Sequence, residues 1–373
     1  MPPFECAILR PEDPRWAAML GRRHHEFYHW PEYVGLEAKR MGGQPAALWV
    51  GGANGAWMLP VVLRNVAEVP GVSLSAAHWR DAVTPYGYPH PLYWVGDADE
   101  ESYLDDALAA LKIFLRSQGI VAVFARCSPL RRLSAAHEKH GHVIAHGPCY
   151  WIDLNESAEA LRSQMRKNYH YYLKALKRSG VKAHFAPLSQ LPAFVGLYQQ
   201  TMTRIGAAPW YFFDNQYFAN LAMALGSSLR LCKVEIGAHA LAMGLFVASG
   251  GIVQYLFSGS DGQKQHPLSD ATKLMIEYVR DWAKEAGLHV FHLGGGFGAR
   301  EDSLSEFKRG FTRHSSTFYT WRWVVDEDRY ATLVAGWERA AGIGAGPIDG
   351  YFPAYRKPLP SLRQDTGSSE QAR

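Results

Sequence analysis

Ala240-Leu241-Ala242-Met243-Gly244-Leu245-Phe246-Val247-Ala248-Ser249-Gly250-Gly251-Ile252-Val253-Gln254-Tyr255-Leu256-Phe257-Ser258-Gly259-Ser260 carries no charged residue. As a helix it would be long enough to cross a bilayer core. Ser249-Gly250-Gly251 interrupts it in the middle, and Val247, Ile252 and Val253 are β-branched. Branched side chains fit a pleated surface better than a helix. The stretch therefore reads as two strands around a turn and not as a membrane span.

Working outward, a strand at 229–234 turns at Gly237 and continues through 241–247, with a further strand at 252–257. A helix is predicted over about 270–286, with Leu274, Met275, Tyr278 and Trp282 on its apolar face. Gly287 ends it, and a strand at 288–293 follows. The same order stands earlier in the chain. A hairpin pattern begins at Ala46-Ala47-Leu48-Trp49-Val50, turns through 51–55 and runs on over 56–63. A helix at 103–117 places Leu104, Leu108, Leu111 and Leu115 at helical spacing, Gly119 ends it, and a strand at 120–125 follows. Hairpin, helix, glycine and strand thus recur roughly 170–180 residues apart, which predicts a duplicated α/β unit and not a solenoid.

Between the units the pattern is helical. Ser157 is a candidate N-cap, 161–179 reads as one helix, 181–185 as a short strand, and 189–205 and 215–225 as two more helices. The expected division is a first domain at 1–150, a second at 151–326, a helix and extension at 327–357, and a polar, disordered tail at 358–373. The length of 373 residues suits two domains.

Hydrophobic residues make up 47% and charged residues 20%, which excludes global disorder. A net charge of +4 is too mild for nucleic-acid packaging, but it allows an anionic substrate or a short stretch of RNA. Aromatics reach 13%, which is either heavy core or a stacking surface. Cys6, Cys127, Cys149 and Cys232 form no CxxC, so neither a zinc site nor a disulfide framework is indicated, and a reducing cytoplasm is expected. Glu5, Arg10, Glu12, Asp13 and Arg15 stand where a signal peptide would need an apolar run. His24-His25 and His142-x-x-x-His146 are the close histidine pairs, with no carboxylate at ligand spacing, so no metal is expected.

Several motifs could carry chemistry. Arg162, Arg166, Lys167, Lys174, Lys177, Arg178 and Lys182 form a basic run without an acid, interleaved with Tyr169, Tyr171 and Tyr172. It is either a surface for phosphate or nucleic acid, or a solvated helix face. Leu293-Gly294-Gly295-Gly296-Phe297-Gly298 follows a strand, where glycine lets backbone approach a ligand, but it does not open a dinucleotide-type helix. Lys308 and Arg309 sit between Phe307 and Phe311; a cation so flanked is held at a pocket wall, or is an exposed lysine of a short helix. Tyr86-Gly87-Tyr88-Pro89-His90-Pro91 is a rigid aromatic loop, a substrate wall or a structural turn, and 28–33 is a similar cluster. No G-x-S-x-G elbow supports a serine hydrolase.

Taken together, these residues resemble the Fem-type aminoacyltransferases, the FemAB-like branch of the GNAT superfamily. The resemblance is carried by Met165-Arg166-Lys167-Asn168 with Leu176-Lys177-Arg178-Ser179-Gly180-Val181, and by Tyr255-Leu256-Phe257-Ser258-Gly259 with His266-Pro267. Leu293-Gly294-Gly295-Gly296 and, above all, Phe307-Lys308-Arg309-Gly310-Phe311 complete it. It covers about residues 150–325, and the first half matches more loosely through 28–33 and Tyr86-Gly87-Tyr88. It implies an α/β (α+β) fold of two tandem GNAT-like domains, each a mixed sheet flanked by helices.

The resemblance also implies amide formation by transfer of an acyl group to an amine. The donor it implies is an aminoacyl-tRNA, engaged through its acceptor end, with acyl-CoA as the alternative; no cofactor is tightly bound. The acceptor is the amine of a small molecule or a cell-wall-type precursor, and the protein is expected to be cytoplasmic. By the same resemblance Lys308 faces the ester and phosphate end of the donor, and Phe307 walls that pocket. Arg166, Lys167, Asn168, Tyr255, His266, Ser269, Tyr86 and Tyr88 are the expected donor- and acceptor-binding residues. The helix start near Ser269 takes the place of the usual pyrophosphate site without its glycines, which disfavours ordinary CoA binding. Arg339-Ala340-Ala341-Gly342-Ile343-Gly344 fits the GNAT pyrophosphate string literally, but it follows a helical stretch and reads as a helix C-terminus.

Overall fold

The charge-free segment forms two antiparallel strands, His239–Ser249 and Ile252–Ser260. Gly250 and Gly251, both at positive φ, make the turn between them. The structure is a computed structural model that describes residues 4–72, 76, 78–262, 268–296, 301–348 and 350–360. The expected tail beyond 360, His266, and Phe297 and Gly298 of the glycine run lie outside these residues. No helix among the described residues is long and apolar enough to cross a membrane.

The first half of the chain runs β1 (Glu5–Leu9), α1 (Pro14–Arg22), α2 (Pro31–Met41), β2 (Gln44–Gly52), β3 (Gly55–Asn65), β4 (Arg80–Val83), β5 (Leu92–Val95), α3 (Glu100–Ser117), β6 (Ile120–Cys127), α4 (Ala135–His140) and β7 (His142–Asp153). The second runs α5 (Ala158–Gln164), α6 (Lys167–Arg178), β8 (Lys182–Ala186), α7 (Leu191–Arg204), α8 (Asn215–Leu225), β9 (Leu229–Ile236), β10 (His239–Ser249), β11 (Ile252–Ser260), α9 (Ala271–Glu285), β12 (Val290–Gly295), α10 (Ser303–Arg309), β13 (Ser315–Val324) and α11 (Glu327–Ala341).

All strands join one mixed sheet in the order β1-β2-β3-β4-β6-β13-β7-β12-β11-β10-β9-β8, with β5 on β3. The duplication is visible in the pairing. β4 and β6 are parallel with α3 between them in sequence, and β11 and β12 are parallel with α9 between them. β13 crosses back to the first half, pairing Trp321 with Ala125 and Trp323 with Val123. Trp321 and Trp323 lie one period of the pleat apart, stack at 4.9 Å and enter the core built on α3 and β6. Burying a large apolar side chain fully is worth roughly 1.5–3 kcal/mol, so this crossing is strongly held.

A second core packs α6 and α9 on the other half of the sheet, around Leu173, Leu176, Leu274, Met275, Phe246 and Phe291. A third joins the two halves: Phe27, Tyr28 and Tyr33 pack with Phe194, Tyr198 and Phe218 of α7 and α8. Here Tyr217 donates to Glu37 Oε1 at 2.9 Å, and Arg40 pairs with the same carboxylate at 2.6 Å. Arg339–Gly344 is the end of α11, capped by Gly342 in the left-handed region, as read from the sequence.

One expected element differs. The predicted helix at 161–179 is two helices, α5 and α6, broken at Met165 and Arg166, whose backbones are extended. The Arg166 amide, freed from helical bonding, donates to the Gly310 carbonyl at 2.9 Å. A tertiary hydrogen bond at the break replaces the intrahelical one.

Candidate functional site

The site begins where two parallel strands part. β11 and β12 pair only over Ile252–Gln254 and Val290–His292. Beyond that point β11 runs on to Ser260 while β12 ends at Gly295, and a wedge opens between them. A cavity of ≈ 610 Å³ lies there, lined by Tyr255, Leu256, Phe257 and Ser258 of β11, by Phe307 and Lys308 of α10, and by Tyr86 of the first half.

Lys308 is buried, not the exposed lysine that a short helix would present. Its ammonium donates to the Gly295 carbonyl at 2.6 Å and lies 5.7 Å from the centre of the Tyr255 ring. Burial lowers its pKa to about 8. Gly294 takes a positive φ of 76°, and a Cβ there would sit 3.3 Å from Lys308 Nζ and 3.5 Å from the Tyr88 hydroxyl. Glycine at this position lets both polar groups crowd the end of β12.

Phe307 packs on Phe311 and Tyr169, and its carbonyl accepts the Tyr169 hydroxyl at 2.9 Å. Tyr255 stacks on Phe246, its hydroxyl bonds to Ser258, and burial pushes its pKa up to about 12. Tyr86 stacks on Phe257 and reaches the cavity. Tyr88 does not line it; it sits behind Gly294 against His292 and Phe318, and its oxygen accepts from Cys149 Sγ at 3.5 Å.

The remaining expected residues stand outside the cavity lining. Arg166 pairs with Glu306 of α10 at 2.6 Å. Lys167 and Asn168 are exposed at the start of α6. Ser269 is exposed in a 3₁₀ turn, Leu268–Asp270, and the helix proper starts at Ala271. Asp270 at this terminus pairs with Lys273, whose ammonium lies about equally over the rings of Tyr169 and Tyr172. The basic run otherwise lines a groove with Arg162, His170, Lys174, Lys177 and Arg178, crossed by the Lys177–Glu277 pair.

Two features were not singled out in the sequence. One is the outer wall of the cavity: Tyr198 and Met202 of α7, with Ile205, Ala207 and Tyr211 beyond it. The cluster at 205–212, Ile205-Gly206-Ala207-Ala208-Pro209-Trp210-Tyr211-Phe212, is the signal that could have found it. The other is a buried polar chain under the site. His292 Nδ1 bonds to Gln254 Oε1 at 2.6 Å, and Gln254 Nε2 donates to Glu26 Oε2 at 2.5 Å. Burial lifts Glu26 to about 7 and lowers His292 to about 3, so the imidazole stays neutral.

All four cysteines are free thiols, and among the described residues no group of His, Cys, Asp and Glu could hold a metal. His146 bonds to Thr320 Oγ1 at 2.9 Å.

Residues 163–309 match the family described as acetyltransferase (GNAT) domain. The structure of FemX superposes with a TM-score of 0.65 over 88% of this chain and 99% of that one, at 13% identity. The fold is that of FemX, and residues 163–309 carry a GNAT domain. L-PGS from Bacillus licheniformis shares the fold at a TM-score of 0.52, covering 88% of this chain and 97% of that one at 12% identity. The C-terminal DUF2156 domain of a putative lysylphosphatidylglycerol synthetase from Agrobacterium fabrum does so at 0.50, covering 83% and 90% at 15% identity. No curated protein matches the sequence. The enzyme class that goes with the matched domain is acyl transfer.

Proposed function

We propose that the protein is an aminoacyltransferase that moves the acyl group of an aminoacyl-tRNA onto the amine of a small molecule or cell-wall-type precursor. The observation that carries this reading is Lys308, a buried ammonium at the end of an open strand wedge. The acceptor amine attacks the ester carbonyl, and the tetrahedral intermediate carries an oxyanion. Lys308 neutralises that charge, and Phe307 walls the reacting centre against water. The C–N bond forms in that intermediate, and its collapse breaks the C–O bond to the terminal ribose; the ribose oxygen takes up a proton as the amine gives one up.

The exposed Lys167 and Asn168 and the groove along α6 take phosphates of the donor, with Arg166 beside them on Glu306. Use of charged tRNA would put the reaction in the cytoplasm.

The description of the matched domain favours a second reading, acetyl transfer from CoA. The start of α9 supports it poorly, because the Asp270 carboxylate stands where a helix N-terminus would otherwise receive pyrophosphate.

A donor assay tests both. One arm supplies charged tRNA with labelled amino acids, the other acetyl-CoA and longer acyl-CoAs, each with a mixed amine pool and mass-spectrometric detection. Label reaching an amine in an RNase-sensitive way is the expected result. Transfer from thioesters alone would replace this reading by the second.

A further inference from the structure

We infer that the cavity holds the body of the transferred acyl group and selects a bulky apolar one, a large aliphatic or aromatic side chain or chain. This rests on the acyl-transfer reading of Lys308 and deepens it.

Met202, Ile205, Leu256, Phe257, Leu304 and Phe307 give the cavity an apolar wall. Its hydroxyls are largely committed to the protein. Tyr198 donates to the Tyr211 carbonyl at 2.6 Å, Thr201 to the Leu197 carbonyl at 2.8 Å, and Tyr255 bonds to Ser258. These rings and chains therefore turn carbon surface to the interior. The charged lining residues are Lys308, assigned to the carbonyl, and Asp302, whose Oδ1 already caps α10 through the Ser305 amide at 2.8 Å. An acidic side chain would have to shed water against this wall without a built partner, and a cationic one would meet only Asp302, which already caps α10 and faces the charge of Lys308.

At ≈ 610 Å³ the space is far larger than a glycyl or acetyl group needs, so a small group would leave most of the apolar wall uncovered.

Arg166 and the basic face of α6 lie outside the lining, joined to α10 through Glu306, the residue before Phe307. The phosphate end of the donor belongs on that side. With the carbonyl at Lys308, the acyl body points the other way, toward α7. Ile205 lines the cavity and is still 58% exposed, so the space is open at that end and admits a chain longer than an amino-acid side chain.

The test measures binding, independently of turnover. Calorimetry with the full-length protein would use 3′-aminoacylamino-3′-deoxyadenosines, whose amide link cannot be transferred, carrying glycyl, alanyl, leucyl, phenylalanyl, lysyl or aspartyl groups. A parallel arm uses acetyl-CoA and octanoyl-CoA. Leucyl or phenylalanyl analogues are expected to bind at least ~10-fold tighter than glycyl and lysyl ones, the scale of burying a large apolar side chain. Ile205→Glu, at an exposed side chain that can carry a charge without unfolding, should narrow that gap, with folding checked by circular dichroism.

If the nucleoside analogues fail to bind but octanoyl-CoA outcompetes acetyl-CoA by a similar factor, the tRNA reading falls and the apolar acyl site stands. Absence of an apolar preference in both arms, weak binding throughout included, overturns the inference.

Discussion

The Lys308 ammonium donates to the Gly295 carbonyl at 2.6 Å, at the strand end where β12 has parted from β11. The carbonyl holds the side chain in place, and burial makes its charge costly and its proton mobile. Both effects suit a group that must meet an oxyanion. Lys308→Met keeps the stem and removes the charge. We expect kcat to fall by roughly 10²–10³-fold, the cost of losing one oxyanion donor, with the fold intact by circular dichroism. Turnover near the wild-type value would remove Lys308 from the reaction.

The pH profile gives a separate test of the same residue. Its pKa is lowered from the ordinary lysine value to about 8, so the ammonium is present below pH 8 and lost above it. An oxyanion partner requires the charged form. kcat should therefore hold through pH 7 and decline through an apparent pKa near 8. A rate that rises through pH 8 would instead mark Lys308 as a base.

Arg166 and Glu306 form an ion pair with side chains 39% and 47% exposed. Such pairs are worth about 0–1 kcal/mol, less in salt. Arg166→Ala should thus cost little thermal stability. If Arg166 also holds donor phosphate, its loss raises KM for charged tRNA, and does so equally in a Glu306→Ala background. A KM effect that vanishes in that background would confine Arg166 to placing α10.

The sequence revealed the local units well and the long-range joins poorly. Helices at α8 and α9 and the turn at Gly250-Gly251 follow from spacing and glycine placement, which are local signals. The break at Arg166 has no such signal, since neither Pro nor Gly stands there; it is held by Gly310, more than a hundred residues away. The same holds for β13, whose alternation fits many partners and whose place between β6 and β7 is fixed by packing. Lys308 was singled out because its neighbours are a recognisable string. The α7 wall was not, because an apolar helix face looks alike whether it covers a core or a cavity.

Gly310 gives a packing prediction for the same junction. A Cβ there would come within 2.3 Å of the Tyr169 ring, and the Tyr169 hydroxyl is tied to the Phe307 carbonyl. The ring cannot retreat without giving up that bond. Gly310→Ala should cost about 1–3 kcal/mol of stability by overpacking, measured as a lower midpoint in urea with an unchanged slope. An unaltered midpoint would mean that α6 and α10 can slide apart freely.

Glu26 supplies a pH-dependent contribution to stability. It is 2% exposed, and burial raises its pKa from 4.5 to about 7, outweighing the opposing charge of Arg131 and the hydrogen bond from Gln254. Between these values the native state holds a proton that the unfolded chain has released. Stability from this group is therefore greatest below pH 4.5 and falls as pH rises toward 7, by about 3 kcal/mol if the full shift is expressed. Glu26→Gln has no charge to bury and should flatten that slope. Melting temperatures of both proteins from pH 4.5 to 8 would decide it: curves that run parallel across the range would mean that Glu26 is ionised throughout and held by a cation partner, not kept neutral by burial.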